Sequence, residues 1–164
     1  MEKGAAAAYH CPRWNELPSL ELYMDQALIV IEEAVRPLLP SQETAATATM
    51  INNYVKIRLV APSVKKKYTR QHLARLIMIT LLKRVLSMTE LACLLETEDV
   101  SDQYDQFCRE LELRLREAFA DPAGQRTPTD CPPLLAAAVM TLACKLRFED
   151  IADQTREKTD RAEA

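Results

Sequence analysis

Residues 49–73 read TMINNYVKIRLVAPSVKKKYTRQHL. Ile51, Tyr54 and Val55 stand three and four residues apart, which predicts the inner face of a short helix capped by Thr49 and ending at Lys56 or Ile57. Asn52, Asn53 and Lys56 then point away from that face. Pro62 cannot continue a helix, and Lys65, Lys66 and Lys67 follow it, so 59–68 reads as a turn or short hairpin with a basic tip. Tyr68 and Thr69 lead into the next helix, with Thr69 as its cap. Leu73, Leu76, Ile77, Ile79, Leu81 and Leu82 make that helix apolar almost all round as far as about Leu86, so it is expected to be central and buried.

Charge singles out the same region. From Thr44 to Thr89 there is no Asp or Glu, yet nine of the 21 Lys and Arg residues fall there, namely Lys56, Arg58, Lys65, Lys66, Lys67, Arg70, Arg75, Lys83 and Arg84. All 24 acidic residues lie elsewhere, and the formal net charge of -3 conceals the segregation. A run this long without a carboxylate sets up a local positive field. Solvated basic faces ordinarily interleave glutamate, and this one does not.

On either side the pattern stays helical. Residues 1–19 read as an extension anchored by Trp14, Leu17 and Pro18. A helix is expected over 20–39, stopped by Pro40, and a threonine-rich connection leads from it to the quoted stretch. Thr89 is expected to cap a helix carrying Leu91, Leu94 and Leu95. Asp99 or Ser101 opens another, with Tyr104, Phe107, Cys108, Leu111, Leu115 and Ala118 at spacings of three and four. A loop at 121–129 precedes a last helix carrying Leu135, Val139, Leu142 and Leu146. The expected fold is all-α with a small β wing: a winged helix-turn-helix at 20–98 and C-terminal helices at 99–164.

Composition removes several function classes. Only two glycines are present, neither in a phosphate-cradling loop. No nucleophile–base pair, paired carboxylates or metal-like spacing stands out, so no enzyme activity, cofactor or metal is expected. Five cysteines, widely spaced and odd in number, read as reduced thiols, with Cys93, Cys108 and Cys144 among apolar positions. Metal or redox use of Cys108, Cys131 and Cys144 in an effector pocket between the last two helices finds weak support in their spacing. His10 and His72 read as ordinary surface. No targeting signal or membrane span is seen, and a cytoplasmic location is expected.

Helix, connection, polar-faced helix, basic hairpin and buried helix is the order a winged helix needs. Asparagine can pair with adenine edges, and Lys or Arg with guanine or phosphate. Met50-Ile51-Asn52-Asn53-Tyr54-Val55-Lys56-Ile57-Arg58-Leu59-Val60-Ala61-Pro62 resembles the recognition helix and following turn of the MerR family of bacterial transcription regulators. Lys66-Lys67-Tyr68-Thr69-Arg70-Gln71-His72-Leu73 is similar to that family's wing and next helix. Leu76 and Ile79 continue the pattern, and Ser87-Met88-Thr89-Glu90-Leu91 resembles the helix after. The resemblance covers about 45 residues. Asn52 and Asn53 stand where the family has arginine and tyrosine, Arg58 stands where it has glycine, and the wing is shorter. The wording "MINNYVK" and "KKKY" is closer still to a small uncharacterised family of bacterial proteins.

The resemblance implies a regulator whose Asn52, Tyr54 and Lys66 face double-stranded DNA. Together with the residue pattern it makes Thr49, Asn52, Asn53, Tyr54, Lys56, Arg58, Lys65, Lys66, Lys67, Tyr68 and Arg70 the candidate DNA-binding set. Tyr104, Phe107, Leu111 and Leu115 form a candidate homodimer seam, since regulators of this size pair to read two half-sites. The alternative is a protein-interaction module whose basic face meets an acidic protein.

Overall fold

The computed structural model describes residues 8–39, 42–119 and 144. Five α-helices make up most of it: α1 (Met24–Val35), α2 (Ala48–Lys56), α3 (Arg70–Leu82), α4 (Met88–Leu94) and α5 (Val100–Phe119). Single 3₁₀ turns at Trp14–Glu16 and Arg36–Leu38 supplement them.

Helix α3 is the axis of the molecule and packs against both α1 and α5. It buries residues on every side, including Leu73, Leu76, Ile77, Met78 and Ile79, as its nearly continuous apolar sequence requires. Tyr104 and Cys108 of α5 join the same cluster, as do Tyr9, Cys11 and Leu17 from the N-terminal segment. Residues on the two sides of position 98 therefore share one core. Among the described residues no helix is long and apolar enough to cross a membrane.

Local chemistry sets the helix ends, and several differ from expectation. The helix expected over 20–39 begins only at Met24, because Leu22 exchanges both backbone hydrogen bonds with Tyr68, at 2.9 and 2.8 Å. It tightens into a 3₁₀ turn where Pro37, lacking an N–H, interrupts the α pattern. The cap of α2 is Thr47, whose hydroxyl accepts the Met50 N–H at 3.2 Å; Thr49 lies inside the first turn. Helix α3 ends at Leu82, short of Leu86. Ser87, not Thr89, caps α4 through a reciprocal pair with Glu90, at 2.6 and 3.3 Å. Asp99 opens α5 by accepting the Asp102 N–H at 3.0 Å. That bond, with the Ser101 hydroxyl, holds the Asp99 carboxyl below its usual range.

The expected β wing is reduced to two isolated antiparallel bridges, Leu22 with Tyr68 and Val64 with Lys67; among the described residues there is no strand. The ladder has no room to grow. Pro62 offers no donor, and the Thr69 N–H is taken by His72 Nδ1 at 3.0 Å. His72 is accordingly buried, not a surface residue, and stacks edge-on against Tyr68 at 5.5 Å. Its Nδ1 accepts, so its Nε2 carries the proton, buried with no partner among the described residues. Cys108 is buried as expected and Cys93 half-buried, but Cys144 is exposed. The last helix expected at 132–146 falls, apart from Cys144, outside the described residues.

The N-terminal segment is clasped to α5. Glu112 accepts the Cys11 N–H at 2.9 Å and the Arg13 guanidinium at 2.7 Å, and His10 approaches it at 3.1 Å. Asp105 accepts the Trp14 N–H at 2.7 Å. Burial alone pushes the Glu112 carboxyl up, but Arg13 and the Cys11 N–H outweigh it and hold the group below the usual 4.5. A depressed carboxyl stabilises the fold fully above its unfolded pKa, and that stabilisation is lost as pH falls through the folded value. Trp14 is the only tryptophan and reports on the clasp. Its emission is expected to shift to the red as pH drops below 4.5, ahead of any loss of helical circular dichroism, and Glu112→Gln should show the shifted emission already at neutral pH. Emission that stays constant until the helices melt would count against the clasp.

Candidate nucleic-acid interface

Helix α2 divides into two faces. Ile51 and Tyr54 are buried, with Met50 and Val55 packed beside them. Thr49, Asn52, Asn53 and Lys56 are all exposed. Their offsets of three, four and seven residues place them in one polar stripe along the outer surface. The stripe contains amides, a hydroxyl and a cation, and no carboxylate.

The helix ends in a Schellman motif, with the Arg58 N–H donating to Val55 O at 3.0 Å and the Leu59 N–H to Tyr54 O at 2.9 Å. Such a motif needs a residue of positive φ, and Arg58 supplies it at φ 61°. Seven residues on, the hairpin turns through Lys65 and Lys66 at φ 51° and 62°, closed by the Lys67 N–H donating to Val64 O at 2.9 Å. Two consecutive positive φ values with this hydrogen bond mark a type I′ turn, whose preferred residues are Asn and Gly. Each side chain with a Cβ costs roughly 1–2 kcal/mol in this conformation. Arg58, Lys65 and Lys66 are the positive-φ residues of the described chain, and all three are exposed cations.

The nine cations divide by what they touch. Arg75 is half-buried and donates to the carbonyls of Leu95 and Thr97 at the end of α4; burial lowers its pKa. Lys83 reaches Ala45 O at 3.4 Å, and Arg84 reaches Leu38 O at 3.1 Å. Lys67 pairs with Glu21 at 3.7 Å and lies 5.8 Å from the Tyr23 ring centre. Arg70 lies 5.7 Å from the Trp14 ring centre. Lys56, Arg58, Lys65 and Lys66 remain exposed, with no ion-pair partner among the described residues.

Two residues of the expected DNA-binding set are misplaced for direct contact. Tyr54 and Tyr68 are 4% exposed each. Tyr54 belongs to the core, where burial raises the pKa of its hydroxyl, and Tyr68 holds the base of the hairpin against Leu22. Lys67 and Arg70 are half-buried and already engaged. Thr49, Asn52, Asn53, Lys56, Arg58, Lys65 and Lys66 are presented to solvent. In the expected dimer seam, Tyr104 has no exposed surface at all; it packs inside its own chain. Phe107, Leu111 and Leu115 are half-buried against the core, whereas Leu113, absent from the expected seam, is 41% exposed.

Sequence reasoning also missed Glu112 and Asp105 as anchors of the N-terminal segment. Glu112 follows Tyr104 and Cys108 at four-residue steps, so it shares their inward face. That spacing was the available signal.

Residues 12–113 match the family model described as Domain of unknown function (DUF1836). The chain belongs to the DUF1836 family. The match takes in Arg13 and Trp14 of the N-terminal clasp, α2, the basic turn and most of α5, so the DUF1836 domain includes the polar stripe. No curated protein and no solved structure matches the chain.

Proposed function

We propose that this DUF1836 domain binds double-stranded DNA as a winged helix-turn-helix regulator, with α2 as the recognition helix at about 49–57 and the basic hairpin at about 61–69 as the wing. The observation that carries the proposal is the placement of Arg58, Lys65 and Lys66. Three backbone positions that favour glycine or asparagine are each filled by an exposed cation. Local strain of this kind persists where a side chain is needed for contact. A polyanion running past the end of α2 and the hairpin tip meets all three cations. Duplex DNA also gives the adjoining amide stripe something to read, because Asn presents donor and acceptor together to an adenine edge. The resemblance to the MerR family supports the same arrangement.

Within this proposal the lysines supply affinity and the asparagines supply sequence choice. Selection from a random duplex pool is expected to enrich a short motif containing adenine. Asn52→Ala or Asn53→Ala should then lose about 1–3 kcal/mol on the selected site and leave binding to unrelated duplex unchanged. If no motif is enriched, or both variants bind the selected site as tightly as the parent, base reading by α2 is wrong. A homodimer is proposed on a separate footing. Phe107, Leu111 and Leu115 are half-exposed at four-residue steps along α5, an apolar edge that a second copy would cover.

A further inference from the structure

Cys11 and Cys108 stand 97 positions apart in sequence and both lie at 0% exposure where the N-terminal segment crosses α5. The Cys108 thiol donates to the carbonyl of Pro12, the residue after Cys11, at 3.6 Å. Cys11 is thereby pinned against α5 on both sides, its own N–H on Glu112 at 2.9 Å and the next residue's carbonyl on Cys108. Beside them the Tyr104 hydroxyl is buried with no partner among the described residues, an arrangement that ordinarily costs stability. The Arg13 guanidinium, fixed by Glu112, donates to the Cys11 carbonyl at 3.1 Å.

We propose that Cys11 and Cys108 form a peroxide-reactive dithiol that closes a disulfide between the N-terminal segment and α5. Cys11 is the nucleophile and Cys108 the resolving thiol. The neighbouring Cys108 lowers the Cys11 thiol, opposing burial, and the positive charge of Arg13 adds to it. Cys108 is pushed up by the neighbouring Cys11 and by burial. The orphan Tyr104 hydroxyl thereby gains an acceptor, since a Cys11 thiolate can take its proton in a hydrogen bond. Residues 8–17 contain no α-helix or strand and are tied to α5 through Glu112 and Asp105, and their local opening admits a small oxidant. The Cys11 thiolate displaces hydroxide from hydrogen peroxide and becomes a sulfenic acid. The Cys108 sulfur then attacks the Cys11 sulfur, forming the S–S bond and expelling water, while the proton released from Cys11 neutralises the hydroxide. Two thiols and one peroxide give one disulfide and two waters.

The test uses the full chain bearing Cys93→Ser, Cys131→Ser and Cys144→Ser, alongside the wild type. One equivalent of hydrogen peroxide is expected to remove both remaining thiols and lower the mass by two hydrogens. Peptide mapping of both chains should join the segments carrying Cys11 and Cys108. Closing a ~100-residue ring should also raise the thermal midpoint by about 10–20 °C, reversibly with dithiothreitol. With Cys108→Ala, Cys11 should accumulate as a dimedone-trappable sulfenic acid, whereas with Cys11→Ala, Cys108 should stay unmodified. The proposal is overturned if native thiols survive excess peroxide, if Cys11 gains two oxygens without cross-linking, or if mapping of the wild type joins Cys11 to another cysteine. These readouts involve no nucleic acid, so they stand or fall separately from DNA binding.

Discussion

Replacing Arg58 by Gly, Lys65 by Asn and Lys66 by Gly is expected to make the protein more stable and a far weaker DNA binder. The two effects share one cause. Each position has positive φ; glycine at 58 and 66 relieves the Cβ clash, recovering about 1–2 kcal/mol per residue, partly offset by about 0.5–1 kcal/mol for its greater freedom in the unfolded chain, and asparagine at 65 tolerates the left-handed region better than lysine. The net gain for the set is about 1–3 kcal/mol, or a rise in Tm of about 2–4 °C per kcal/mol for a chain of this size. Binding moves the other way. Losing three phosphate contacts weakens binding by about two to three orders of magnitude at ~0.1 M salt, with the log–log salt slope flattened by about 2.7. Thermal melts and fluorescence titrations on the same preparations decide it. A variant that is stabilised and still binds as the parent does would show that these cations are not the contact.

Leu76→Ala is expected to cost about 3–5 kcal/mol, a large share of the ~5–15 kcal/mol that holds a typical domain together. Leu76 is wholly buried in the helix that packs against both α1 and α5, so the cavity opens where three helices meet and the site has little freedom to collapse. Thr80, one turn further along α3, gives the opposite sign. Its hydroxyl is buried with no partner among the described residues, and Thr80→Val is expected to add about 1–2 kcal/mol by removing that desolvated group. Urea denaturation followed by helical circular dichroism measures both. A cost below about 1 kcal/mol for Leu76→Ala would place α3 outside the core.

The helical architecture was legible because it rests on period and composition. Leu73 through Leu82 is too apolar to lie on a surface, and Ile51 and Tyr54 fix the inner side of α2 by spacing alone. What could not be read depends on long-range partners. The bridge from Leu22 to Tyr68 shortens α1, and nothing near Leu22 in sequence announces it. Which of nine cations stay free is decided by distant carbonyls at Leu38, Ala45 and Leu95, so charge density identified the region without separating Arg58 from Arg75. Tyr54 and Tyr68 illustrate a residue type whose apolar ring and polar tip pull in opposite directions; packing settled both in favour of the core. Arg58 stands where the resembled family has glycine. The structure keeps the turn with the cation in it.

The most direct test of the central claim is the salt dependence of wild-type binding to a fluorescently labelled duplex, followed by anisotropy from low to physiological ionic strength. Four exposed cations with no ion-pair partner among the described residues, Lys56, Arg58, Lys65 and Lys66, predict tight binding at low salt and a log–log slope of about -4. Absence of binding to duplex DNA at low salt, or a slope near zero, would contradict it and leave the basic face to an acidic protein.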